Sequence, residues 1–522
     1  MIGSMGPAAR LIAVLLLATG LAGCGARSRQ TTTTAPAPAA APGAAPVLPD
    51  RHLGAGPVLR PVPRPPLPDP STVDRALGRA LLANHLTQPG HDAYAQIYRD
   101  ARRAQSRLTG TRAAELGAVI AQVDELARRR QLGVSRMPQA FLTLQRNTRF
   151  WTRAPLPAAG ARFTFARDPV ILQAYPGHGL QVQPLASFGR ANALAGVCLD
   201  RAAGRPAAAR CRPRALRRLL DALVTLAARR GGIPAWEGWF RFARAAPGWV
   251  SGMTQATAVQ ALTRGARVLH EPRYLREAHR AVRLFAHPPP LGVAVPAAGG
   301  RHFVMYSTLP GLRIFNGQLQ AVSGLREYAV ASGDALARNA YRRGDHAARV
   351  ALRAGDTGAW SLYSAGGAES SLNYHRLTET FLGNLCHATH RVAYCAGERR
   401  FARYLREPPR LRLRLPRRLR LGRATRVAFR LSKVSDVTIA VRDRRGVALR
   451  RTVRLAHGRH SLRFRPRRSG RVRVTVAALS LSGTRGAVSG TFTVRRPPRP
   501  KPRRHHRHAG RTARSGTGAA PR

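Results

Sequence analysis

From about residue 71 to 405 apolar positions recur at steps of three and four. "VDRALGRALLANHL", "AAELGAVIAQVDELARRR", "PRALRRLLDALVTLAARR" and "SGMTQATAVQALTRGARVL" each carry one apolar stripe, the pattern of an amphipathic helix. In the last, Ala256, Val259, Leu262, Ala266 and Leu269 share a face. "PRYLREAHRAVRLFA" after Glu271, "NGQLQAVSGLREYAVASG" from Asn316, and the stretch from Asp334 to Ala354 predict three more helices. Gly- and Pro-bearing connectors separate them and hold most of the polar aromatics. Helix, loop, helix, loop predicts stacked helical hairpins. An α/α toroid is one way to bury them all, with a plain helical array as the alternative.

At about residue 410 the period changes to two. "LRLRL", "VTIAVR", "SLRFR", "RVRVTVAAL" and "GTFTV" alternate apolar with polar residues, as half-buried strands do. Arg445-Gly446, His457-Gly458 and Ser482-Gly483 punctuate them as turns. About seven short strands fit a small immunoglobulin-like sandwich. The fold expected is therefore mainly α over 71–405, followed by an all-β domain over 408–496.

The ends of the chain read differently. Arg10 precedes "LIAVLLLATGLAGCG", a run too short and too rich in small residues for a stable membrane span, which fits a signal peptide over 1–24. Its Leu21-Ala22-Gly23-Cys24 ending resembles the bacterial lipobox, and that resemblance implies cleavage before a lipidated Cys24. The expected location is extracytoplasmic, with the chain anchored to the membrane as a lipoprotein. Residues 25–70 are Ala-, Pro- and Thr-rich and predict an extended tether. Residues 497–522 predict a basic disordered tail. Four cysteines remain, at Cys198, Cys211, Cys386 and Cys395. In an exported chain the two short spacings favour the disulfides Cys198–Cys211 and Cys386–Cys395. Neither pair has the tight spacing structural zinc favours, and no metal site is expected.

Charge narrows the partners. The formal net charge is +64, and lysine occurs only at Lys433 and Lys501, so nearly all of the excess is arginine. A GC-rich genome enriches Arg together with Ala, Gly and Pro. Whatever its origin, such a field attracts polyanions. Nucleic acid is not the expected one, because no recognition motif with interleaved aromatics is present and the leader directs export.

Aromatics make up only 6% of the chain, yet "DTGAWSLYSAGGAESSLNYHRL" (residues 356–377) gathers Trp360, Tyr363 and Tyr374 beside Asp356, Glu369 and His375. With "YPGHGLQVQPLASFGRANAL", "GWVSGMTQATAVQALTRGARVL" and "YSTLPGLRIFNGQLQAVSGL" it resembles, in order and spacing over roughly 165–405, the D-glucuronyl C5-epimerase family. The resemblance implies an isomerase that inverts C5 of a uronic acid within a polysaccharide. A base must take the proton from one ring face, an acid must return one to the other, and positive groups must neutralise the enediolate between. By the same resemblance Tyr374, Tyr363 and Tyr306 are the catalytic candidates, and Gln181, Gln183, Asn192, Trp249, Gln255, Asn316, His375 and Glu369 line the substrate. No cofactor is implied, the partner is an acidic polysaccharide, and a homodimer is left open. The family's Glu immediately before the Tyr306 position is Met305 here, preceded by Val304. Its Arg three residues after the Tyr363 position is Gly366. Glu369 and Glu327 are the candidate substitutes. A hydrolase or lyase would draw its carboxylates from Glu237 (in "PAWEGWF"), Asp356 and Glu369. A glycan receptor with a degenerate site is the non-enzymatic alternative.

Overall fold

A computed structural model describes residues 47–48, 71–166, 168–207, 209–241, 247–416 and 419–496. The expected signal peptide with Cys24, most of the tether and the basic tail lie outside the described residues. No described helix is long and apolar enough to cross a membrane. Two compact units meet at Glu407–Pro408.

The first unit is helix-rich. Helices α1 (Thr72–Leu82), α2 (Gln88–Ser106), α3 (Gly110–Arg128) and α4 (Met137–Arg153) pack on one another and lead into a small sheet. Its strands β2 (Arg162–Phe165), β3 (Asp168–Tyr175) and β4 (Gly179–Val182) form an antiparallel meander, with β1 (Val47–Leu48) parallel to β2. Eight helices follow in alternation. α5 (Pro184–Ala202), α7 (Gly252–Leu269), α9 (Phe315–Ser332) and α11 (Leu372–Thr389) pack each on the next as an inner row. α6 (Pro213–Thr225), α8 (Pro272–Ala281), α10 (Ala335–Ala354) and α12 (Val392–Arg406) each lie against the inner helix they follow.

Composition sorts the two rows. α5, α7 and α9 are apolar or small on most faces and bury most of their residues, whereas α6, α8 and α10 bury one stripe. Gly324 sets one close approach in the inner row: a Cβ there would stand 2.3 Å from the Ala256 carbonyl oxygen. The two expected disulfides are formed, Cys198–Cys211 joining α5 to the approach of α6 and Cys386–Cys395 joining α11 to α12. Each closes a short loop and stabilises its hairpin by about 3 kcal/mol on the chain-entropy view.

The periodicity misses the strands inside this unit. "DPVILQAY" is buried at nearly every position of β3, so no two-residue alternation survives in it. "LAARR", expected in helix, leaves α6 and pairs as β5 (Ala228–Arg230) with β6 (Ile233–Ala235). Two further ribbons, β7 (Glu237–Gly238) with β8 (Trp249–Val250) and β9 (Ala294–Ala297) with β10 (Gly300–Phe303), sit in the connectors.

The second unit is β-rich. β11 (Leu411–Arg414), β13 (Thr425–Leu431) and β16 (Gly458–Phe464) form one sheet in the order β11-β13-β16. β12 (Leu419–Arg420), β14 (Ser435–Asp443), β15 (Gly446–Leu455), β17 (Gly470–Ser480) and β18 (Arg485–Arg495) form the other, in the order β12-β18-β17-β14-β15. Val427, Phe429, Val437, Ile439, Val441, Val474 and Val476 belong to one shared apolar core, which is why alternate positions of these strands are apolar.

Candidate functional site

Four tyrosines converge at the loops that run into the N-termini of the inner helices. Tyr374 is the third residue of α11, and the Ser371 side chain caps that helix by accepting from the Tyr374 backbone N–H. Tyr363 lies on the preceding loop, whose bridges pair Asp356 with Ser361 and Leu362 with Glu369. The two rings meet with centroids 4.9 Å apart, and neither phenol oxygen has a hydrogen-bond partner among the described residues. The Tyr363 carbonyl accepts from the Phe315 N–H, which joins this loop to the start of α9.

The rest of the 356–377 cluster holds that loop in place. Trp360 is fully buried, donates from Nε1 to the Ser370 carbonyl and stacks on His375 at 3.8 Å. His375 lies 3.0 Å from the Phe401 carbonyl through Nε2 and 2.8 Å from Ser361 Oγ through Nδ1. A carbonyl only accepts, so the proton is on Nε2 and Ser361 donates to Nδ1. Asp356 accepts from Arg400, Tyr404 and the Gly358 N–H. Gly366 has φ +66°, a left-handed turn position that an arginine would occupy only at a cost of roughly 1–2 kcal/mol.

Tyr306 is fixed from the α7 side. The Ser307 N–H donates to the Val250 carbonyl, Ser307 Oγ accepts from the Val250 N–H, and the Gly252 N–H donates to the Val304 carbonyl. This brings Tyr306 edge-on to Trp249, centroids 5.3 Å apart, while Trp249 donates from Nε1 to the Phe240 carbonyl. Met305 is buried, and its methyl group would stand 3.4 Å from a Cβ at Gly317.

The fourth phenol, Tyr175, was not among the expected site residues. It ends β3, stacks on Phe240 at 4.6 Å and accepts a 2.5 Å hydrogen bond from Gln183 Nε2. Its negative form would repel those of Tyr306 and Tyr374, which places it within the same group. Burial pushes all four phenols above their ordinary range. Tyr175 differs in having two influences in the opposite sense, the Arg162 guanidinium and the Gln183 hydrogen bond. Arg162 donates from Nε to Gln173, keeps a buried Nη2 without a partner, and has no carboxylate partner among the described residues. Its guanidinium acts on the Tyr175 phenol, favouring the ionised form. The Tyr-Pro-Gly turn at the end of an apolar run was the available sequence signal for Tyr175; Arg162, thirteen residues earlier, is brought near only by the β2–β3 pairing.

Other expected residues are placed in the packing. Gln255 is fully buried and clamps the Trp236 backbone from both ends of its amide. His375 is a buried strut, so the substrate contact expected of it gives way to a structural role. Gln181 donates to Gln122 and to the His178 carbonyl. Asn192 donates to Gln260 and the Thr257 carbonyl within the inner row. Asn316 is not the cap of α9, which is Ile314; it is the second residue of that helix, buried, with Oδ1 unpartnered among the described residues. Trp249 and Glu369 remain partly exposed, and Glu369 bridges across its loop to Leu362. Glu327 is not a free base: Arg264 holds both of its oxygens at 2.6 and 2.7 Å. Glu237 is buried between Arg136 and Arg230, and Trp236 and Trp239 are core residues. No group of three or more His, Cys, Asp or Glu able to hold a metal occurs among the described residues.

Residues 233–402 match the family model described as D-glucuronyl C5-epimerase C-terminus. The resemblance read from the sequence is thereby shown over that segment, which carries Trp249, Tyr306, Tyr363 and Tyr374; Tyr175 and Gln183 precede it. It supports a carbohydrate epimerase in general terms. No curated protein matches the chain. Among solved structures the chain is similar to a GH76 α-mannanase from Bacteroides thetaiotaomicron (11% identity, TM-score 0.30, covering 43% of this chain and 61% of that one). It is also similar to cellobiose 2-epimerases from Bacillus thermoamylovorans (12%, 0.30, 44% and 63%) and Spirochaeta thermophila (17%, 0.32, 53% and 70%). Likenesses this weak carry no weight for the activity.

Proposed function

We propose that the protein inverts C5 of a hexuronic acid within an acidic polysaccharide, using the tyrosine quartet. The observation that carries this reading is the convergence of Tyr175, Tyr306, Tyr363 and Tyr374, with two buried hydroxyls left unpartnered. Tyr175 serves as base, because the Arg162 guanidinium and the Gln183 hydrogen bond favour its phenolate against the burial that opposes it. Its oxygen takes the C5 proton, the C–H electron pair moves into the adjacent carboxylate as an enediolate, and Arg162 neutralises that charge. Tyr374, neutral at rest, gives its proton to the opposite ring face and is left as phenolate. Return of a proton between the two tyrosines resets the site. The N-termini of α5, α7, α9 and α11 lie at this end, and their partial positive charge favours an anionic sugar. In this reading the hairpins close as an α/α toroid, the β domain is an immunoglobulin-like accessory, and Cys24 anchors the chain outside the cytoplasm.

A second reading keeps the cleft but not the chemistry. Met305 stands where the resemblance would put a glutamate, and its buried thioether transfers no proton. A hydrolase has less support, because Glu237 and Asp356 are both committed to ion pairs. Incubation with a linear polyglucuronate in D₂O, followed by NMR of the C5–H signal, separates the three. Deuterium at C5 with chain length retained is the expected result. Shortened chains indicate a hydrolase or lyase, and binding without exchange indicates a receptor.

A further inference from the structure

The three-stranded sheet of the β domain carries an uncompensated lattice of arginine. The inward residues Val427, Phe429 and Leu431 of β13 are buried, so their alternates face out. The register sets Arg412 of β11 opposite Arg430 of β13, and Arg430 opposite Arg459 of β16. Arg426 stands opposite Arg463, and Arg414 opposite Ala428. All six arginines are exposed, none makes an ion pair among the described residues, and the three strands contain no Asp or Glu. Neighbouring strands lie about 4.8 Å apart and alternate residues about 6.8 Å apart along each strand. Like charges directly opposite one another destabilise a sheet. The elsewhere observed remedy, an acidic partner such as Asp436 for Arg454 on the other sheet, is absent from these strands.

We propose that this face is a docking surface for a linear carboxylate polysaccharide, held by guanidinium–carboxylate pairs along the Arg412–Arg430–Arg459 rung and its neighbours. Planar guanidinium suits carboxylate through paired hydrogen bonds. The outward positions between the arginines are Ala428 and Ser461, which offer neither the aromatic platforms that single-stranded nucleic acid stacks on nor the apolar side chains that enter a bilayer. The choice of a uronate polymer rests on the epimerase reading; the surface itself does not need turnover. It would hold a long chain while a segment of it is processed, or hold it alone if the cleft is silent.

The test is binding of the full chain to a linear polyglucuronate, measured across a salt series, with dextran as the neutral comparator. In the Arg412→Ser/Arg430→Ser/Arg459→Ser variant binding weakens at least about tenfold at low salt and depends less steeply on salt. A charge-matched variant, Arg338→Ser/Arg342→Ser/Arg353→Ser on α10, binds as the unaltered chain does, which separates the face from net charge. The basic C-terminal segment is present in both. Equal loss in the two variants, or no loss in the first, overturns the proposal. Tighter binding of the unaltered chain to duplex DNA or to phosphatidylglycerol vesicles, lost in the first variant, also overturns it in favour of that polyanion. C5 exchange on a short uronate oligosaccharide is followed in parallel. Exchange without face-dependent polymer binding sinks this surface alone, and face-dependent binding without exchange sinks the epimerase alone.

Discussion

Replacing Tyr374 by Phe removes one oxygen and leaves the ring. The structure predicts opposite effects on stability and on chemistry. The hydroxyl is buried with no hydrogen-bond partner, so its loss breaks no bond. The Tyr363 ring contact at 4.9 Å persists, and the Ser371 cap uses the backbone N–H, not the phenol. A buried hydroxyl without a partner costs roughly 1–3 kcal/mol in proteins. Allowing for local relaxation, Tyr374→Phe stabilises the helical unit by about 1 kcal/mol, a rise of about 2 °C in melting temperature. If Tyr374 is the acid that returns the proton, C5 exchange falls by about 10²–10⁴. Tyr175→Phe is the matched control, because its phenol accepts from Gln183 and its removal leaves that amide unpaired, costing about 1 kcal/mol. Calorimetry and NMR exchange on the same preparations read both quantities. A Tyr374→Phe protein that melts several degrees lower refutes the unpartnered hydroxyl, and one that exchanges at the original rate removes Tyr374 from the chemistry.

Three further outcomes are expected. Glu237→Gln leaves Arg136 and Arg230 facing a neutral amide at a site where the carboxylate is fully enclosed, so the protein loses about 3–5 kcal/mol and melts about 6–10 °C lower, with exchange retained in the folded fraction; an unchanged melt with lost turnover would instead make Glu237 catalytic. Arg162→Gln removes the cation beside Tyr175, and exchange at limiting substrate drops by roughly ten- to a hundredfold with little change in melting; an unaltered rate would exclude Arg162 from carboxylate recognition. Burial, and after it the Arg313 charge, holds His302 down at about 3, so the folded form stays neutral while the unfolded chain gains a proton near its ordinary value. Its contribution is present above about pH 6.5 and is lost as pH falls, by up to about 1.4 kcal/mol per unit, and denaturant titrations of the unaltered chain and His302→Phe diverge by that slope between about pH 6.5 and 4.

The hairpins, the change of period near residue 410 and both disulfides were legible in the sequence, because each depends on residues close together in the chain. Apolar stripes recur within a turn or two of helix, strand alternation within a few residues, and the disulfides span separations of only 13 and 9. The family segment was legible for the same reason, as runs of residues in order. What the polar residues do was not. Glu237 and Arg136 lie 101 positions apart, His375 read as a site residue until burial and stacking on Trp360 made it a support, and Tyr175 and Arg162 enter the site only through sheet register.

The sequence by itself determined the helical hairpins, the strands beyond residue 410, and the motif set that holds Tyr306, Tyr363 and Tyr374. Only the tertiary structure decided which carboxylates are neutralised, which hydroxyls among the described residues are left without partners, and that Arg162 comes to act on Tyr175. The physical reason is that local conformation follows from short-range sterics and burial, whereas the electrostatics of a buried group is set by whatever distant residues the fold places within a few ångströms of it.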